Sequence, residues 1–475
     1  MTEEPGRSGI NAAIGRLWIV FVACFLVLIG RQVWLQIFAA DRIASDSHNP
    51  RTALLTEYRG SILARDGTPL AYSTKAGRIY PYGAAFAHSI GYLSNRYGET
   101  GLESAFDADL KARPSPSDPL AQARALFAGA PLPANVRGAD VITTLDPAIQ
   151  RVLCDGLSEH ARGAGVVLDP RSGEILALAS VPSFDPGSID RDFPALRVDP
   201  QSRLLDRSID GLYPPGSTFK IFTAASALDA GVVDAEEVFH DKGTLQVGTF
   251  VVHDNEGEAT GAQTLTGAFA LSSNVDFAEI ALRLGVDRWF GYAQRWKLGE
   301  PFGFELPAER DRLPEAGTVS PSMLAQLGFG QANLLVTPLR MALVAATIAN
   351  DGATPRPLVV RAIRGPGGSV RRFPHAMLTS PISAATAASV RAMMIAVVNR
   401  GTGTAAALSG AQVAGKTGTA TNSAGRPHAW FVAFAPAESP RVAVAIVIEN
   451  AGYGGAVAAP IARRVLSKAL ERIRT

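Results

Sequence analysis

The sequence predicts an α/β chain of the α+β kind, an antiparallel sheet flanked by helices, behind one N-terminal membrane helix and a small intervening module. Three observations predict it. Residues 17–30 form an uncharged apolar run, LWIVFVACFLVLIG, between Arg16 and Arg31. Residues 165–169 and 174–180 are apolar runs joined by a short Pro- and Gly-containing turn, the pattern of a hairpin. Two more strand-like runs, 430–435 and 442–449, come near the end of the chain, with helical blocks between. Strands early and late around helices imply one sheet built from both ends of a domain.

Composition bounds the function. The 475 residues hold 45 Lys+Arg against 43 Asp+Glu, a net charge of +2. Such a balance gives no concentrated basic face, so nucleic acid is excluded as a partner. Hydrophobic residues make up 47%, and Gly with Pro stays below low-complexity levels, which excludes a disordered or fibrous chain. Cys24 and Cys154 cannot frame a disulfide scaffold. No Cys/His cluster has zinc-ligand spacing, and neither a metal nor an organic cofactor is expected.

The apolar run is shorter than the about 20 residues that span a bilayer. Its flanks extend it: residues 10–15 are mostly apolar, and Val33, Trp34, Leu35, Ile37 and Phe38 continue beyond. Arg16 and Arg31 can snorkel to headgroups. This predicts a tail over 1–13 and an anchor over 14–38. Cleavage would require small residues soon after the run, and Ala40 comes late, with Phe38 two before it. Cys24 sits inside the run, which argues against a lipid-modified terminus. Arg7 and Arg16 precede the helix while Arg31 and Arg42 follow it, so charge assigns no orientation.

Residues 41–50 are polar and read as a linker. Residues 51–111 alternate short apolar runs with turns at Asp66-Gly67, Tyr82-Gly83, Tyr97-Gly98 and Thr100-Gly101, a small mixed or mostly β module. A segment with Pro114, Pro116, Pro119, Pro131 and Pro133 follows, around one short helix at 121–128. These features divide the chain into a module over 41–139 and a large domain over 140–475, closed by a helix over 458–473.

Three short motifs carry chemistry. Tyr213-Pro214-Pro215-Gly216-Ser217-Thr218-Phe219-Lys220 precedes the Ala-rich run 221–228 and reads as a helix start. Ser217 and Lys220, three apart, share a helix face, so the amine can activate the hydroxyl once its pKa is lowered. Alone this pattern arises about once by chance in such a chain. Ser272-Ser273-Asn274 lies between helical runs. Ser272 can shuttle a proton, and the Asn274 amide can hold a substrate carbonyl and the Lys220 amine. Ser47-His48-Asn49 repeats the pattern in the linker, so it too is weak by itself. Val413 to Thr421 alternates like a strand and contains Lys416-Thr417-Gly418-Thr419. There Gly418 would admit a substrate backbone, the Thr417 and Thr419 hydroxyls would bind a carboxylate, and Lys416 would supply positive charge. The N–H groups of Ser217 and Thr419 could form an oxyanion hole. His253-Asp254-Asn255-Glu256 reads as an exposed turn rather than a metal site, and Trp430 and Phe431 as core.

Together, S-x-x-K, S-x-N and K-T-G in this order are the signature of penicillin-binding proteins and serine β-lactamases. The chain resembles the class B, monofunctional penicillin-binding proteins over essentially all of 140–475. Further matching segments are Gly165 to Glu174, Pro182-Ser183-Phe184-Asp185-Pro186, Gly328-Phe329-Gly330-Gln331, Val336-Thr337-Pro338-Leu339 and Ala429-Trp430-Phe431. Tyr58-Arg59-Gly60-Ser61-Ile62 and Asp66 to Ala71 resemble the class B pedestal, and Tyr80-Pro81, Gly91-Tyr92-Leu93-Ser94 and Tyr97-Gly98-Glu99-Thr100-Gly101-Leu102-Glu103 look most like the short penicillin-binding protein A subgroup.

The resemblance implies a serine transpeptidase/β-lactamase-like domain on a dimerisation-like pedestal. It implies a D,D-transpeptidase that cross-links peptidoglycan stem peptides ending in D-Ala-D-Ala through a serine acyl-enzyme, with β-lactams as inhibitors. Ser217, Lys220, Ser272, Asn274 and Lys416 would be catalytic, and Thr417, Gly418 and Thr419 would bind substrate. It also implies a catalytic part outside the cell membrane and partners in cell-wall synthesis or division, including a glycosyltransferase. The segment before residue 140 leaves no room for a second catalytic domain beside a pedestal. No Glu-x-x-x-Asn between residues 274 and 416 offers the deacylating glutamate of a class A β-lactamase. A D,D-carboxypeptidase, and a vestigial division scaffold or β-lactam sensor, stay open as alternatives.

Overall fold

A computed structural model describes residues 7–35, 59–111, 137–254, 259–422 and 425–474. The expected linker and the helix expected at 121–128 lie outside these residues. At the N-terminus, Arg7–Val33 is one helix, and its Ile14–Val33 stretch is long and apolar enough to cross a membrane once. Its apolar side chains lie exposed, as a lipid-facing helix requires.

The central sheet has five antiparallel strands in the order Ala414–Ala420, His428–Ala435, Val442–Ile448, Gly163–Leu168, Ile175–Val181. The first and last parts of the domain thus lie side by side. The strands are apolar throughout because both faces are covered. Trp430, Val432 and Phe434 point to one side with Val166, Ala445 and Val447, against a core that includes the helix Pro338–Ala349. Phe431, Ala433, Val444 and Ile446 point to the other, against Pro147–Leu157 and the terminal helix Gly454–Arg474. Each large side chain so buried contributes about 1.5–3 kcal/mol. The helix Pro147–Leu157 starts where the Asp146 carboxylate accepts the N–H groups of Ala148 and Ile149, with Pro147 at the first position.

A second sheet joins the N-terminal module to the large domain. Its six strands run Val370–Arg372, Val360–Arg364, Asp140–Thr143, Ile62–Leu63, Pro69–Thr74, Gly77–Ile79. Ile62–Leu63 pairs in parallel with Val141 and Ile142, and the other pairings are antiparallel. Below this sheet the fully buried Arg59 guanidinium is held by Glu103 (2.8 Å), Asp107 (2.7 Å) and the Glu103 carbonyl (2.7 Å), and Arg78 reaches the other Glu103 oxygen (2.7 Å).

Candidate active site

Ser217 lies in a single 3-10 turn, Gly216–Phe219, that leads into the helix Lys220–Asp229. Two prolines and a glycine shape this turn, and neighbouring segments fix it. Tyr213 exchanges backbone hydrogen bonds with Val336, the Gly216 N–H donates to the Gly330 carbonyl (2.9 Å), and the Trp430 indole donates to the Pro214 carbonyl (3.1 Å). Gly216 has φ +53°, and a Cβ there would meet the Thr419 carbonyl oxygen at 2.8 Å, so the turn and the 414–420 strand touch through a position only glycine fills without strain. The Ser217 side chain is half-buried at this junction.

Beneath it the structure brings Lys220, Ser272, Asn274 and Lys416 together. The helix Leu265–Leu271 ends on Ser272 in the left-handed conformation, φ 68°, and Ser273 caps the next helix, Asn274–Leu284, by accepting the Asp276 N–H. This two-residue corner turns Ser272 inward. Lys220 Nζ donates to the Ser272 carbonyl (2.6 Å), to Ser272 Oγ (3.2 Å) and to Asn274 Oδ1 (2.9 Å). From the strand, Lys416 Nζ donates to the same Ser272 Oγ (2.8 Å) and to the Thr417 carbonyl (3.2 Å). One hydroxyl therefore bridges two buried amines. The Lys220 hydrogen bonds do not include Ser217, which stands three residues earlier in the 3-10 turn that leads into the helix.

Both amines are fully buried, and among the described residues no carboxylate is in ion-pair contact with either. Each instead lies 5.5 Å from an aromatic ring centre, Lys220 over Phe277 and Lys416 over Phe269. Burial pulls Lys220 down from 10.5 to about 7, against the opposing charges of Asp254, Asp276 and Asp241. Lys416 falls well below its ordinary value through burial and the nearby Lys220 charge. Near neutrality the pair thus gives up protons easily, and Lys220, facing the carboxylates, is the better-placed holder.

The Ala414–Ala420 strand is the edge of the central sheet, with Lys416 opposite Val432 and Gly418 opposite Trp430. Lys416 and Gly418 face the serine turn, while Thr417 and Thr419 share the other face. The structure gives Gly418 a reason that the sequence did not suggest. A Cβ at 418 would approach Thr218 Cγ2 at 2.8 Å, Trp430 Cβ at 3.0 Å and the Pro215 carbonyl at 3.1 Å. The strand needs glycine here so that the serine turn can pack against it.

Two residues that sequence reasoning missed hold these motifs. Thr402, in the loop after the helix Ala384–Arg400, shares a 2.5 Å hydrogen bond between its hydroxyl and that of Thr417. Asp254 belongs to the segment expected to be an exposed turn. His253 is exposed, but the Asp254 side chain is buried and accepts the N–H groups of Asn274 and Val275. A carboxylate next to a Ser-Asn-rich helix start is a capping pattern, but Asp254 lies 20 residues from Asn274, beyond any local signal. His428 opens its strand away from the amines and accepts the Asn450 N–H at Nδ1 (3.1 Å).

The penicillin binding protein transpeptidase domain family matches residues 163–467. The chain belongs to this family. Residues 59–135 match the penicillin binding protein A dimerisation domain. Along its length the chain is similar to the peptidoglycan D,D-transpeptidase PbpA of Mycolicibacterium smegmatis, with 36% identity across 97% of this chain and 99% of the relative. PbpA of Mycobacterium tuberculosis is 34% identical over the same shares. Among solved structures, penicillin-binding protein A from M. tuberculosis as a ceftriaxone acyl-enzyme complex superposes with a TM-score of 0.78, at 33% identity, over 88% of this chain and 99% of that one. The D,D-transpeptidase domain from Eggerthella lenta gives 0.79 at 34% identity, over 87% and 98%.

Proposed function

We propose that this family member is a peptidoglycan D,D-transpeptidase that works through a serine acyl-enzyme. The observation that carries the reading is the chain Lys220–Ser272–Lys416 under the Ser217 turn, beside an unpaired strand edge. A serine hydroxyl needs a base to become a nucleophile, and a buried amine with a pKa near 7 can be one. In the resting arrangement Lys220 spends its hydrogen bonds on Ser272 and Asn274, so one must be exchanged for Ser217 Oγ before the proton passes.

The reaction then balances as follows. Lys220 takes the Ser217 proton, and Ser217 Oγ bonds to the penultimate D-Ala carbonyl carbon. The Ser217 and Thr419 N–H groups hold the resulting oxyanion. The bond to the terminal D-Ala breaks as its nitrogen receives a proton through Ser272 and Lys416. An amine of a second stem peptide attacks the ester, an amide forms and Ser217 regains its proton. Thr417 and Thr419 hold the terminal carboxylate, the Gly418 backbone lies along the peptide, and Asn274 binds a substrate carbonyl. β-Lactams mimic D-Ala-D-Ala and stop at the ester.

This function sets the topology: a tail over 1–13 inside, an anchor over 14–38, a pedestal over 41–139 and a transpeptidase domain over 140–475 on the cell-wall side. A monofunctional transpeptidase needs a glycosyltransferase to make its strands, which supports partners in cell-wall synthesis or division.

The test is incubation of the full-length chain in detergent with a fluorescent penicillin, beside Ser217→Ala, read by intact mass. The expected result is a slowly lost one-to-one adduct that the variant lacks. Rapid loss would point to a β-lactamase, and no adduct on folded protein would point to a scaffold. Product analysis with and without an amine acceptor separates cross-linking from carboxypeptidase action.

A further inference from the structure

Three carboxylic acids outside the three motifs are buried behind the Ser272 corner. Asp241 ends the strand Val238–Asp241, Asp254 follows the strand Phe250–His253, and Asp276 lies in the first turn of the helix Asn274–Leu284. All are at most 8% exposed, and among the described residues none has an arginine or lysine in ion-pair contact. Each has its own attachments. Asp241 accepts the N–H groups of Gly243 (2.6 Å) and Thr260 (3.1 Å). Asp276 accepts the Gln263 amide (2.8 Å). Asp254 binds the backbone of the catalytic corner: one oxygen accepts the N–H groups of Asn274 and Val275, and the other accepts the Ser273 hydroxyl (3.5 Å).

We infer that Asp254 is a positioning residue for acyl transfer, clamping the Ser272–Asn274 corner and, when ionised, adding a negative charge that faces Lys220. The inference rests on the transpeptidase reading above. The route is short. Asp254 fixes the Asn274 backbone, the Asn274 side chain accepts from Lys220 Nζ (2.9 Å) and donates to the His253 carbonyl (3.0 Å). The two hairpins between residues 238 and 264 are thereby coupled to the amine. Without Asp254, the helix Asn274–Leu284 would begin with the Asn274 and Val275 N–H groups unsatisfied, and the Ser273 hydroxyl would lose a carboxylate partner.

Charge supports the same role. Among the described residues, the charged groups facing Lys220 are Asp254, Asp276 and Asp241, with Lys416 as its cationic neighbour, and of the carboxylates Asp254 acts most strongly. Facing Asp254 itself are Asp241, which hydrogen-bonds to it, and Lys220. Burial, with the Asp241 contact, pushes the Asp254 carboxyl up to about 7, whereas Asp241 is held low by its several donors.

The experiment compares acylation rates across pH for the full-length wild type, Asp254→Asn and Asp254→Ala, with melting temperatures alongside. Asparagine keeps an acceptor for the Asn274 and Val275 N–H groups but removes the charge. Its plateau rate should stay within about threefold of wild type, while its acid limb moves to lower pH by about one unit, because Lys220 loses its proton more readily. Alanine removes the clamp as well, and its plateau should fall about tenfold to a hundredfold. If Asp254→Asn lowers the melting temperature but leaves the acid limb in place, Asp254 is only structural and the inference fails. It also fails if both variants match wild type while Ser217→Ala stays unlabelled. Absence of any wild-type adduct would instead remove the transpeptidase reading and this inference with it.

Discussion

Arg59 and Lys220 are both fully buried cations, yet their surroundings are opposite. Arg59 is saturated by charge: Glu103 and Asp107 bind it at 2.7–2.8 Å, and Glu103 is shared with Arg78. Lys220 is saturated by neutral oxygens, a carbonyl, a hydroxyl and an amide, and the nearest charge on its far side is another amine. Both cations donate several hydrogen bonds, so hydrogen bonding alone does not distinguish them. The counter-ion does. A buried cation with carboxylates in contact keeps its proton and fixes a shape, while one held by neutral groups stays ready to lose it. The first arrangement lies in the N-terminal module and the second at the candidate active site.

Replacement of each cation should separate the two. Lys220→Met is expected to lower acylation by about 10²–10⁴-fold and to leave the melting temperature equal or higher, since a buried unpaired charge is replaced by an apolar chain. Arg59→Met should do the reverse. It leaves Glu103 paired with Arg78 and Asp107 with Lys111 and should destabilise the chain by about 3–5 kcal/mol, while acylation per folded molecule, measured well below melting, stays at the wild-type rate. A loss of acylation in folded Arg59→Met protein would break the comparison.

The two clusters also differ in how stability follows pH. Lys220 titrates at about 7 in the folded chain against 10.5 for an ordinary lysine. Between these values the unfolded chain binds more protons, so stability rises with pH across this window, and the cost of burying the amine is greatest below pH 7. Urea denaturation at pH 7 and pH 9 should show the rise in wild type and a smaller one in Lys220→Met. The smallest effect concerns Thr402→Val, which removes one hydroxyl contact to Thr417. A loss of about 1 kcal/mol, or a few-fold in acylation, is expected at the strand. An unchanged rate would show that Thr417 is oriented by the strand alone.

Much of this was legible in the chain because it is local. The hairpin of Gly163–Leu168 and Ile175–Val181, the late strands and the Ala414–Ala420 strand each announce themselves by apolar runs or alternation, and the serine turn by its prolines. What sequence could not supply is long-range. Asp254 looks like a turn residue because its hydrogen-bond partners lie two elements away. Thr402 is a threonine in a loop until the fold sets it against Thr417. Gly418 reads as an opening for substrate, and only the packed serine turn shows the inward clash that glycine relieves. Similarly, nothing in the pattern of 140–143 says that it pairs with Ile62–Leu63 on one side and Val360–Arg364 on the other.

That shared pairing has a bearing on how such proteins can be recombined. A chimaera that exchanges pedestals at residue 140 would cut through a sheet, leaving Asp140–Thr143 with one bare edge and the donor's Ile62–Leu63 without its parallel partner. The transplantable unit is instead the whole six-stranded layer, residues 59–79 together with 140–143 and 360–372, which an exchange must carry as one piece.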